Sequence, residues 1–345
     1  MDAQSLAATA KQLLSNDRGL LAMDESVPTA NKRFAEVGIP QTPDYRRAYR
    51  ELIVTTPGLG DYIGGAILFD ETIRQARADG VSFVKLLQDA GVTPGIKVDA
   101  GAKDLAGHPG EKITEGLDGL RERLHDYFSL GARFAKWRAV ITIGPERPSR
   151  ACLEANAQAL ARYAALCQEA GIVPVVEPEV LMDGDHTLAQ CQAATEAGLR
   201  AVFEQLGVQG VELSGMILKP NMVLPGLKCP SQASTEDVAD ATVGTLRRVV
   251  PPDVAGVAFL SGGQSGELAS ARLNAMNVRF PSPSALAPWP LSFSYARAVQ
   301  QPALEIWKGQ NANVAAAQRA LVHRLACNHA ARRGQYGASI ERQAS

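Results

Sequence analysis

The sequence has little of what marks secreted, membrane-bound or nucleic-acid-binding proteins. Its 345 residues contain five cysteines, an odd number without a C-x-x-C pair, which is typical of free thiols in a reducing compartment. The 35 Lys and Arg residues nearly balance the 36 Asp and Glu residues, so the net charge of −1 offers no attraction to nucleic acid or to an anionic membrane. No apolar run reaches the roughly 18 residues of a membrane span, and the first residues lack a signal-peptide pattern. We therefore expect a cytoplasmic protein with no nucleic-acid or membrane partner.

Motifs that bind common cofactors are also missing. The G-x-G-x-x-G spacing of dinucleotide-binding folds does not occur, and the five histidines show no H-E-x-x-H spacing. The turn at residues 183–186 has metal-capable side chains, but such a tight polar turn is more typical of a helix cap or loop. The sequence therefore predicts an activity without a metal or a dinucleotide.

What the sequence does contain is a series of short apolar runs, each followed by a polar or glycine-rich stretch and an amphipathic segment. This alternation is typical of repeated strand–helix units. Eight runs are predicted as strands: residues 19–23, 64–69, 95–98, 133–138, 172–179, 215–219, 256–260 and 291–295. The stretches 116–131, 154–171 and 235–250 have the i, i+3, i+4 apolar spacing of helices in an outer ring.

Eight such strands in one chain favour an α/β fold with a single (β/α)8 TIM barrel over an open doubly wound sheet. No linker or shift in composition divides the chain, because the Pro-rich stretches 223–234 and 279–290 are only of loop length. We predict one catalytic barrel domain over residues 1–330, with an N-terminal helix. The polar residues 331–345 are predicted to form a mobile C-terminal tail.

Charged residues recur at the ends of the predicted strands. They are Asp24 after the first strand, Lys97 and Asp99 at the third, Lys136 and Arg138 in the fourth, Glu177 and Glu179 in the fifth, and Lys219 in the sixth. Any one of them alone is typical of a solvent-exposed strand end. Because a charge inside a barrel is costly to desolvate, this many charges at one rim indicate an active site, which barrels build at that end. Strand alternation places Lys136 with Arg138, and Glu177 with Glu179, on one face.

A second group of polar residues follows the last two predicted strands. Residues 261–266 form a glycine-rich turn that includes Ser261 and Gly262, and its backbone N–H groups can converge on an anion. Ser294 lies in the eighth strand, and Arg297 after it can bind a phosphate through two parallel hydrogen bonds. A turn of this kind is by itself often only a tight turn. Its position beside Arg297 predicts a phosphate site, since barrels commonly bind phosphate after strands seven and eight.

Lysines beside carboxylates, with a phosphate site, suit covalent carbonyl chemistry. A lysine amine can attack a ketone, and the protonated imine that results withdraws electrons so that a bond alpha to it can break. We expect Lys136 and desolvation to disfavour the ammonium form of Lys219, which makes Lys219 the candidate nucleophile. Glu177, Glu179 and Asp24 are candidates for moving the protons that the reaction requires.

Several strings of residues resemble the class I fructose-bisphosphate aldolases. They are LAMDES (21–26), GGAILFDET (64–72), GIKVD (95–99), FAKWR (134–138), VEPE (176–179), LKPNM (218–222), FLSGGQS (259–265) and LSFSYAR (291–297). The match runs in order through nearly the whole chain. The resemblance implies a (β/α)8 barrel, a lysine Schiff base without a metal or other cofactor, sugar phosphates as ligands and a homotetramer.

The resemblance also implies roles for particular residues. Lys219 corresponds to the Schiff-base lysine, Glu177 to the residue that handles protons during imine formation, and Asp24 to the base for the hydroxyl that becomes the aldehyde. Lys136 is implied to assist the covalent steps, with Glu179 beside Glu177 and Arg138 nearby. The site for the 1-phosphate is implied to contain Ser261, Gly262, Ser294 and Arg297, and the site for the 6-phosphate Ser26, Thr29 and Lys97. The implied reaction is the reversible cleavage of fructose 1,6-bisphosphate to dihydroxyacetone phosphate and glyceraldehyde 3-phosphate, in glycolysis and gluconeogenesis.

Three departures from the family pattern leave alternatives open. Ala296 replaces a glycine, Thr29 a serine and Ala100 a lysine, so a preference for fructose 1-phosphate or another ketose phosphate is the nearest alternative. The sequence ends in serine where many animal members end in tyrosine, which predicts slower proton exchange on dihydroxyacetone phosphate; Tyr336 is not assigned that role. Two alternatives come from other classes. The intact set of Lys219, Glu177 and Asp24 argues against a non-catalytic scaffold, and the histidine spacing argues against a metal-dependent aldolase.

Overall fold

A closed barrel of eight parallel strands forms the centre of the molecule. A computed structural model describes residues 3–342. The order around the barrel is β1-β10-β9-β8-β7-β6-β3-β2, so each barrel strand is hydrogen-bonded to its neighbour along the chain and the last strand returns to the first. The barrel strands are β1 (Gly19–Ala22), β2 (Ile63–Leu68), β3 (Thr93–Lys97), β6 (Phe134–Ile141), β7 (Val173–Val180), β8 (Ile217–Leu218), β9 (Gly256–Phe259) and β10 (Leu291–Tyr295). The predicted (β/α)8 fold and its eight strands are confirmed.

Helices surround the barrel and connect its strands. They are α1 (Ala3–Leu13), α2 (Val27–Glu36), α3 (Pro43–Val54), α4 (Leu59–Tyr62), α5 (Asp70–Ile73), α6 (Phe83–Asp89), α7 (Leu120–Ser129), α8 (Arg150–Glu169), α9 (Leu188–Val208), α10 (Thr235–Val249), α11 (Gly266–Arg279), α12 (Arg297–Trp307), α13 (Val314–Arg332) and α14 (Ala338–Glu341). Short 3₁₀ turns lie at Leu213–Gly215 and Asn311–Asn313. The three stretches predicted as helices correspond to α7, α8 and α10. No helix among residues 3–342 is long and apolar enough to cross a membrane.

The first helix closes the lower end of the barrel, where the strands begin. Leu6, Ala10 and Leu13 of α1 are buried in one apolar cluster with inward-facing strand residues. Phe134 fills the space beside Gly95, where a Cβ atom would approach the Phe134 ring to 2.3 Å. The lower half of the barrel is therefore a packed apolar core, and this leaves only the upper rim for polar chemistry.

Strand alternation explains why the charges lie at the upper rim. On three strands the inward face starts with an apolar side chain of the lower cluster and continues two residues later with a charged one. Val175 is followed in this way by Glu177, Phe134 by Lys136 and Ile217 by Lys219. The charged side chains point into the barrel because the apolar residues two positions earlier on the same face are buried in the barrel interior.

Two parts of the structure differ from the sequence-based predictions. A small antiparallel hairpin of β4 (Ala102–Asp104) and β5 (Lys112–Thr114) follows β3 and was not predicted, because its strands are only three residues long and mostly exposed or half-buried. The predicted boundary between residues 330 and 331 falls inside α13, which continues to Arg332 because Ala331 and Arg332 are buried in the core. Residues 333–342 follow as a turn and α14. Residues 343–345 of the predicted tail lie outside the described residues, and the mobility of the tail stays a prediction.

Candidate active site

Four charged side chains from four strand ends meet at the upper rim of the barrel. Lys219 Nζ lies 3.1 Å from Glu177 Oε1, and Lys136 Nζ lies 3.3 Å from Glu177 Oε2. Lys136 Nζ is also 2.7 Å from Asp24 Oδ2. We call these four residues the lysine–carboxylate cluster. Glu177 lies between the two lysines, so one carboxylate contacts both the candidate nucleophile and its neighbouring ammonium group.

The lysine–carboxylate cluster is buried, and its charges balance. Lys219, Glu177, Lys136 and Asp24 are 3%, 3%, 4% and 9% exposed. Two lysines and two carboxylates then compensate one another, which buried charges require. One oxygen, Glu177 Oε2, is buried yet accepts no well-directed hydrogen bond, although Lys136 is near. This oxygen has a lone pair available to take a proton.

The protonation states in the cluster follow from burial and from the neighbouring charges. Burial alone raises the pKa of Asp24, but Lys136 and Lys219 outweigh that effect and lower the pKa to about 2. Burial also raises the pKa of Glu177, and the same two lysines lower it below its ordinary value. Burial lowers the pKa of Lys136, while Asp24 and Glu177 raise it well above its ordinary range. Both carboxylates are thus ionised and Lys136 is charged at neutral pH.

Glu179 and Arg138 lie on the same rim but form a separate pair. Arg138 Nε donates a hydrogen bond to Glu179 Oε2, and the Arg138 side chain is 44% exposed. Burial lowers the pKa of Arg138 but Glu179 raises it, so the guanidinium stays charged. The structure therefore places Glu179, predicted as a catalytic residue, against Arg138 and not against the two lysines.

The residues predicted to bind a 6-phosphate lie around β1, α2 and β3. Ser26 directly precedes α2, and its hydroxyl lies 3.0 Å from the hydroxyl of Thr29 in the first turn of that helix. Lys97 ends β3, and its ammonium group lies 2.5 Å from Asp99 Oδ1. Thr29 is exposed, while Ser26 and Lys97 are half-buried. These hydroxyl and ammonium groups therefore face an accessible part of the rim.

The residues predicted to bind a 1-phosphate lie after β9 and β10. Gly262 and Gly263 have φ angles of 56° and 81°, in the left-handed region that favours glycine, so the turn brings backbone close to any ligand. The Arg297 guanidinium lies against this turn, 3.2 Å from the position that a Cβ of Gly263 would occupy. Ser294 Oγ is buried and has no hydrogen-bond partner among the described residues. Ser265 caps α11 just beyond the turn by accepting a hydrogen bond from the Leu268 N–H at 3.2 Å.

Ala296, where the family pattern has glycine, takes a conformation that does not demand glycine. Its φ of −106° lies outside the left-handed region that favours glycine, its ψ is −90°, and it directly precedes α12. The substitution therefore leaves Arg297 in place at the first position of the helix.

A buried charged network beside Asp24 was not predicted from the sequence. Glu25 lies between two arginines: it accepts a hydrogen bond from Arg33, and Arg50 Nη1 is 2.7 Å from Glu25 Oε2. Gln300 Nε2 of α12 lies 3.0 Å from Glu25 Oε1 and 2.6 Å from the Ala22 carbonyl oxygen. The network ties the end of β1, which holds Asp24, to the helix that starts at Arg297. The only sign of this network in the sequence is a second acidic residue directly after Asp24. Its arginine partners could not be identified from the sequence, because they lie on helices farther along the chain.

A closed parallel barrel with a buried lysine–carboxylate cluster at its upper rim defines a class of enzyme suited to imine chemistry. Residues 5–345 match the family model for "Fructose-bisphosphate aldolase class-I". The chain belongs to the class I fructose-bisphosphate aldolase family, which works through a Schiff base and not through a metal.

Individual relatives agree with this assignment. The chain is 55% identical to "Probable fructose-bisphosphate aldolase class 1" of Xanthomonas campestris over 337 residues, 97% of this chain and 99% of the relative. It is 49% identical to "Fructose-bisphosphate aldolase 5, cytosolic" of Arabidopsis thaliana over 345 residues, 99% of this chain and 95% of the relative. A solved structure of fructose-bisphosphate aldolase from Plasmodium falciparum, in complex with TRAP and an inhibitor, superposes with a TM-score of 0.95 at 46% identity and covers 97% of this chain and 96% of that one.

Proposed function

We propose that this protein cleaves fructose 1,6-bisphosphate reversibly to dihydroxyacetone phosphate and glyceraldehyde 3-phosphate, as an aldehyde-lyase of glycolysis and gluconeogenesis. The observation that supports this most directly is the contact of 3.1 Å between Lys219 Nζ and Glu177 Oε1 inside a buried, charge-balanced cluster. Membership of the class I family supplies the reaction type, and the names of the relatives supply the substrate.

Imine formation needs a neutral lysine and a route for one proton. In the proposed reaction Glu177 takes a proton from the Lys219 ammonium group, and the free amine attacks the C2 ketone of the sugar. One of the two protons left on the nitrogen passes to the former ketone oxygen, which completes the carbinolamine. Glu177 then returns its proton to the departing hydroxyl, which leaves as water, and the nitrogen keeps one hydrogen as the protonated imine. The bonds and charges balance, because one ammonium group and one ketone become one iminium ion and one water molecule.

Carbon–carbon cleavage uses the electron-withdrawing iminium. In the proposed step the proton of the C4 hydroxyl passes to Asp24, the oxygen forms the aldehyde, and the electrons of the C3–C4 bond move to the enamine. Lys136, 2.7 Å from Asp24, keeps that carboxylate ionised before the step and stabilises the negative charge that shifts during it. Glu179 is proposed to act beside Glu177 by holding Arg138 on the substrate side.

The two phosphates are proposed to bind at the two ends of this cluster. Ser261, Gly262, Ser294 and Arg297 form what we call the 1-phosphate group, and Ser26, Thr29 and Lys97 form the 6-phosphate group, with Arg138 between the reacting centre and solvent. A positive-φ glycine turn and a guanidinium suit a phosphate dianion, as do hydroxyl and ammonium groups. No metal or dissociable cofactor is assigned to the reaction.

Two further properties belong to the same proposal. The chain is proposed to assemble as a homo-oligomer, a tetramer by its resemblance to the family, and to act in the cytoplasm. Both are testable by size-exclusion chromatography with light scattering and by fractionation of the source cells.

Borohydride trapping tests the central step. The protein is incubated with dihydroxyacetone phosphate and EDTA, reduced with borohydride, digested and mapped by mass spectrometry. We expect one reduced adduct on Lys219, and none in a Lys219→Met variant. Lys85→Met, at an exposed lysine of α6, is the matched control and should keep the adduct. A folded protein that gives no adduct on Lys219, or that loses its cleavage activity in EDTA, contradicts the imine mechanism.

A further inference from the structure

Three side chains capable of binding a metal meet where the C-terminal segment packs on the barrel, away from the lysine–carboxylate cluster. His323 and Cys327 lie one turn apart on α13, and Glu341 comes from α14. Within residues 3–342 they are the one group of three or more His, Cys, Asp or Glu side chains whose donor atoms converge this closely. The proposed aldolase reaction uses none of them.

Two contacts of the Cys327 sulfur have the separations that a tetrahedral cation requires between its ligands. His323 Nε2 is 3.5 Å from Cys327 Sγ and 3.7 Å from Glu341 Oε1, and Cys327 Sγ is 3.6 Å from Glu341 Oε2. Zinc bonds of about 2.0–2.3 Å to nitrogen, oxygen and sulfur, at tetrahedral angles, place pairs of ligand atoms roughly 3.3–3.6 Å apart. Cys327 Sγ therefore lies at a zinc-ligand separation from both His323 Nε2 and Glu341 Oε2, and the ligand atoms of the three residues all lie within 4.8 Å of one another.

The surroundings hold the carboxylate ligand in place and leave one of its oxygens for a cation. Arg324 donates a hydrogen bond to Glu341 Oε1, and the Tyr336 hydroxyl is 2.6 Å from Glu341 Oε2. Arg324 is itself 4.0 Å from a carboxylate oxygen of Glu267. Ligating carboxylates in metal sites are commonly held by such hydrogen bonds. Because Arg324 occupies Oε1, a cation would bind Oε2, where it would replace the thiol proton that Cys327 directs at this oxygen.

The local charges also accommodate a divalent cation. Binding releases the thiol proton of Cys327 to solvent, and the resulting thiolate and the Glu341 carboxylate neutralise two positive charges. A neutral imidazole completes three ligands, and Glu267 offsets Arg324. Two of the ligands share a helix face at i and i+4, which fixes their spacing, while the third lies beyond a turn in the chain.

We propose that His323, Cys327 and Glu341 bind a zinc-class divalent cation, with water in the fourth position, and that this cation fastens α14 to α13. The site is structural and lies outside the proposed reaction. It couples the position of the C-terminal segment to the availability of the metal, because the segment supplies one of the three ligands.

Cobalt titration tests the site on the full-length chain. The protein is stripped with EDTA, dialysed and titrated with Co²⁺, whose thiolate charge-transfer and tetrahedral ligand-field absorption bands report both ligand type and geometry. We expect one equivalent of Co²⁺ with both bands, displaced by Zn²⁺. Replacing any one ligand, by His323→Gln, Cys327→Ser or Glu341→Gln, should weaken binding by at least about tenfold. Cys152→Ser and His125→Gln, a buried cysteine and an exposed histidine elsewhere, are the matched controls and should bind as the parent does.

Each outcome decides the proposal. Because Cys327 is buried, its variant is the one most open to misfolding, and the half-buried Glu341 provides a variant that tests the site without disturbing the core. An absence of both bands in the parent protein, or full binding by Glu341→Gln, overturns the proposal. Zn²⁺ should also slow hydrogen exchange of residues 337–342 in the parent but not in Glu341→Gln, and equal protection in both contradicts the fastening role. Borohydride trapping of Lys219 in EDTA is independent of all these results.

Discussion

The lysine–carboxylate cluster and the two phosphate groups are built on different parts of the barrel. Lys136 and Glu177 are strand residues, and Lys219 and Asp24 follow their strands by one and two residues, so the hydrogen-bonded barrel fixes their positions. Most residues of the 1-phosphate group and the 6-phosphate group lie on loops and helix starts, and Thr29 and Arg297 are exposed. In the proposed mechanism the chemistry therefore depends on the rigid sheet, whereas substrate choice depends on the more adjustable rim. Changes in the lysine–carboxylate cluster should lower kcat by orders of magnitude. Changes in the two phosphate groups should have smaller effects on kcat/KM, and only those in the 6-phosphate group should alter the preference between the two sugars.

The largest effect is expected from Glu177→Gln, which keeps the shape of the side chain but cannot accept the Lys219 proton. General acid–base groups contribute about 10²–10⁴-fold, and we expect kcat to fall by that factor. Pre-steady-state measurement of borohydride-trapped adduct should show that imine formation has become the slow step. Glu154→Gln, at an exposed position of α8, serves as the control. Unchanged trapping kinetics would mean that another group moves the proton.

The next effect is expected from Arg297→Ala in the 1-phosphate group. A hydrogen bond to a charged partner contributes about 1.5–3 kcal/mol, so kcat/KM should fall roughly 10- to 100-fold. The loss should be equal for fructose 1,6-bisphosphate and fructose 1-phosphate, since both have this phosphate. Arg319→Ala on α13 is an exposed-arginine control. A loss for fructose 1,6-bisphosphate alone would assign Arg297 to the 6-phosphate.

The acid stability of the protein tests the cluster directly. Because the folded state lowers the pKa of Asp24 to about 2, its carboxylate contributes stability that is fully present above about pH 4 and is lost as the pH falls towards 2. The contribution is about 2 kcal/mol. Urea unfolding at several pH values should show a steeper loss for the parent than for Asp24→Asn, with the exposed Asp44→Asn as control. If the free energy of unfolding changes with pH in the same way in the parent and in Asp24→Asn, Asp24 keeps an ordinary pKa in the folded protein.

The smallest effect is expected in the 6-phosphate group. Removing one neutral hydroxyl, by Ser26→Ala or Thr29→Ala, should lower kcat/KM for fructose 1,6-bisphosphate by about 2- to 10-fold. Fructose 1-phosphate should be unaffected, because it has no 6-phosphate. The ratio of kcat/KM for the two sugars in the parent protein also decides between the bisphosphate and the monophosphate as the preferred substrate. Equal losses for both sugars would place these hydroxyls elsewhere in the mechanism.

Much of the barrel was predictable because periodicity is a local property. All eight strands were predicted to within a few residues, since each is a short apolar run between polar segments. Alternation correctly placed Lys136 and Glu177 on the inward faces. The β4–β5 hairpin was missed, because strands of three residues are too short to show such a pattern. The predicted start of the tail at residue 331 lies two residues before the end of α13, because Ala331 and Arg332 begin a largely polar stretch of sequence.

Which charges contact one another was not predictable. Glu177 and Glu179 are equivalent by alternation, yet Glu177 lies between Lys219 and Lys136 while Glu179 pairs with Arg138. The stagger between β6 and β7 decides this, because Arg138 is in register with Glu177 and its side chain extends upward to Glu179.

The sequence by itself determined the fold class, the rim at which the charges gather and the types of residue available for imine chemistry, because these depend on period-two alternation and on the order of strands. Only the tertiary structure decided that one carboxylate serves both lysines, that Glu25 is held by Arg33 and Arg50, and that Glu341 returns to His323 and Cys327. These contacts join residues far apart in the chain, and their distances depend on strand stagger and helix packing, which no local pattern encodes.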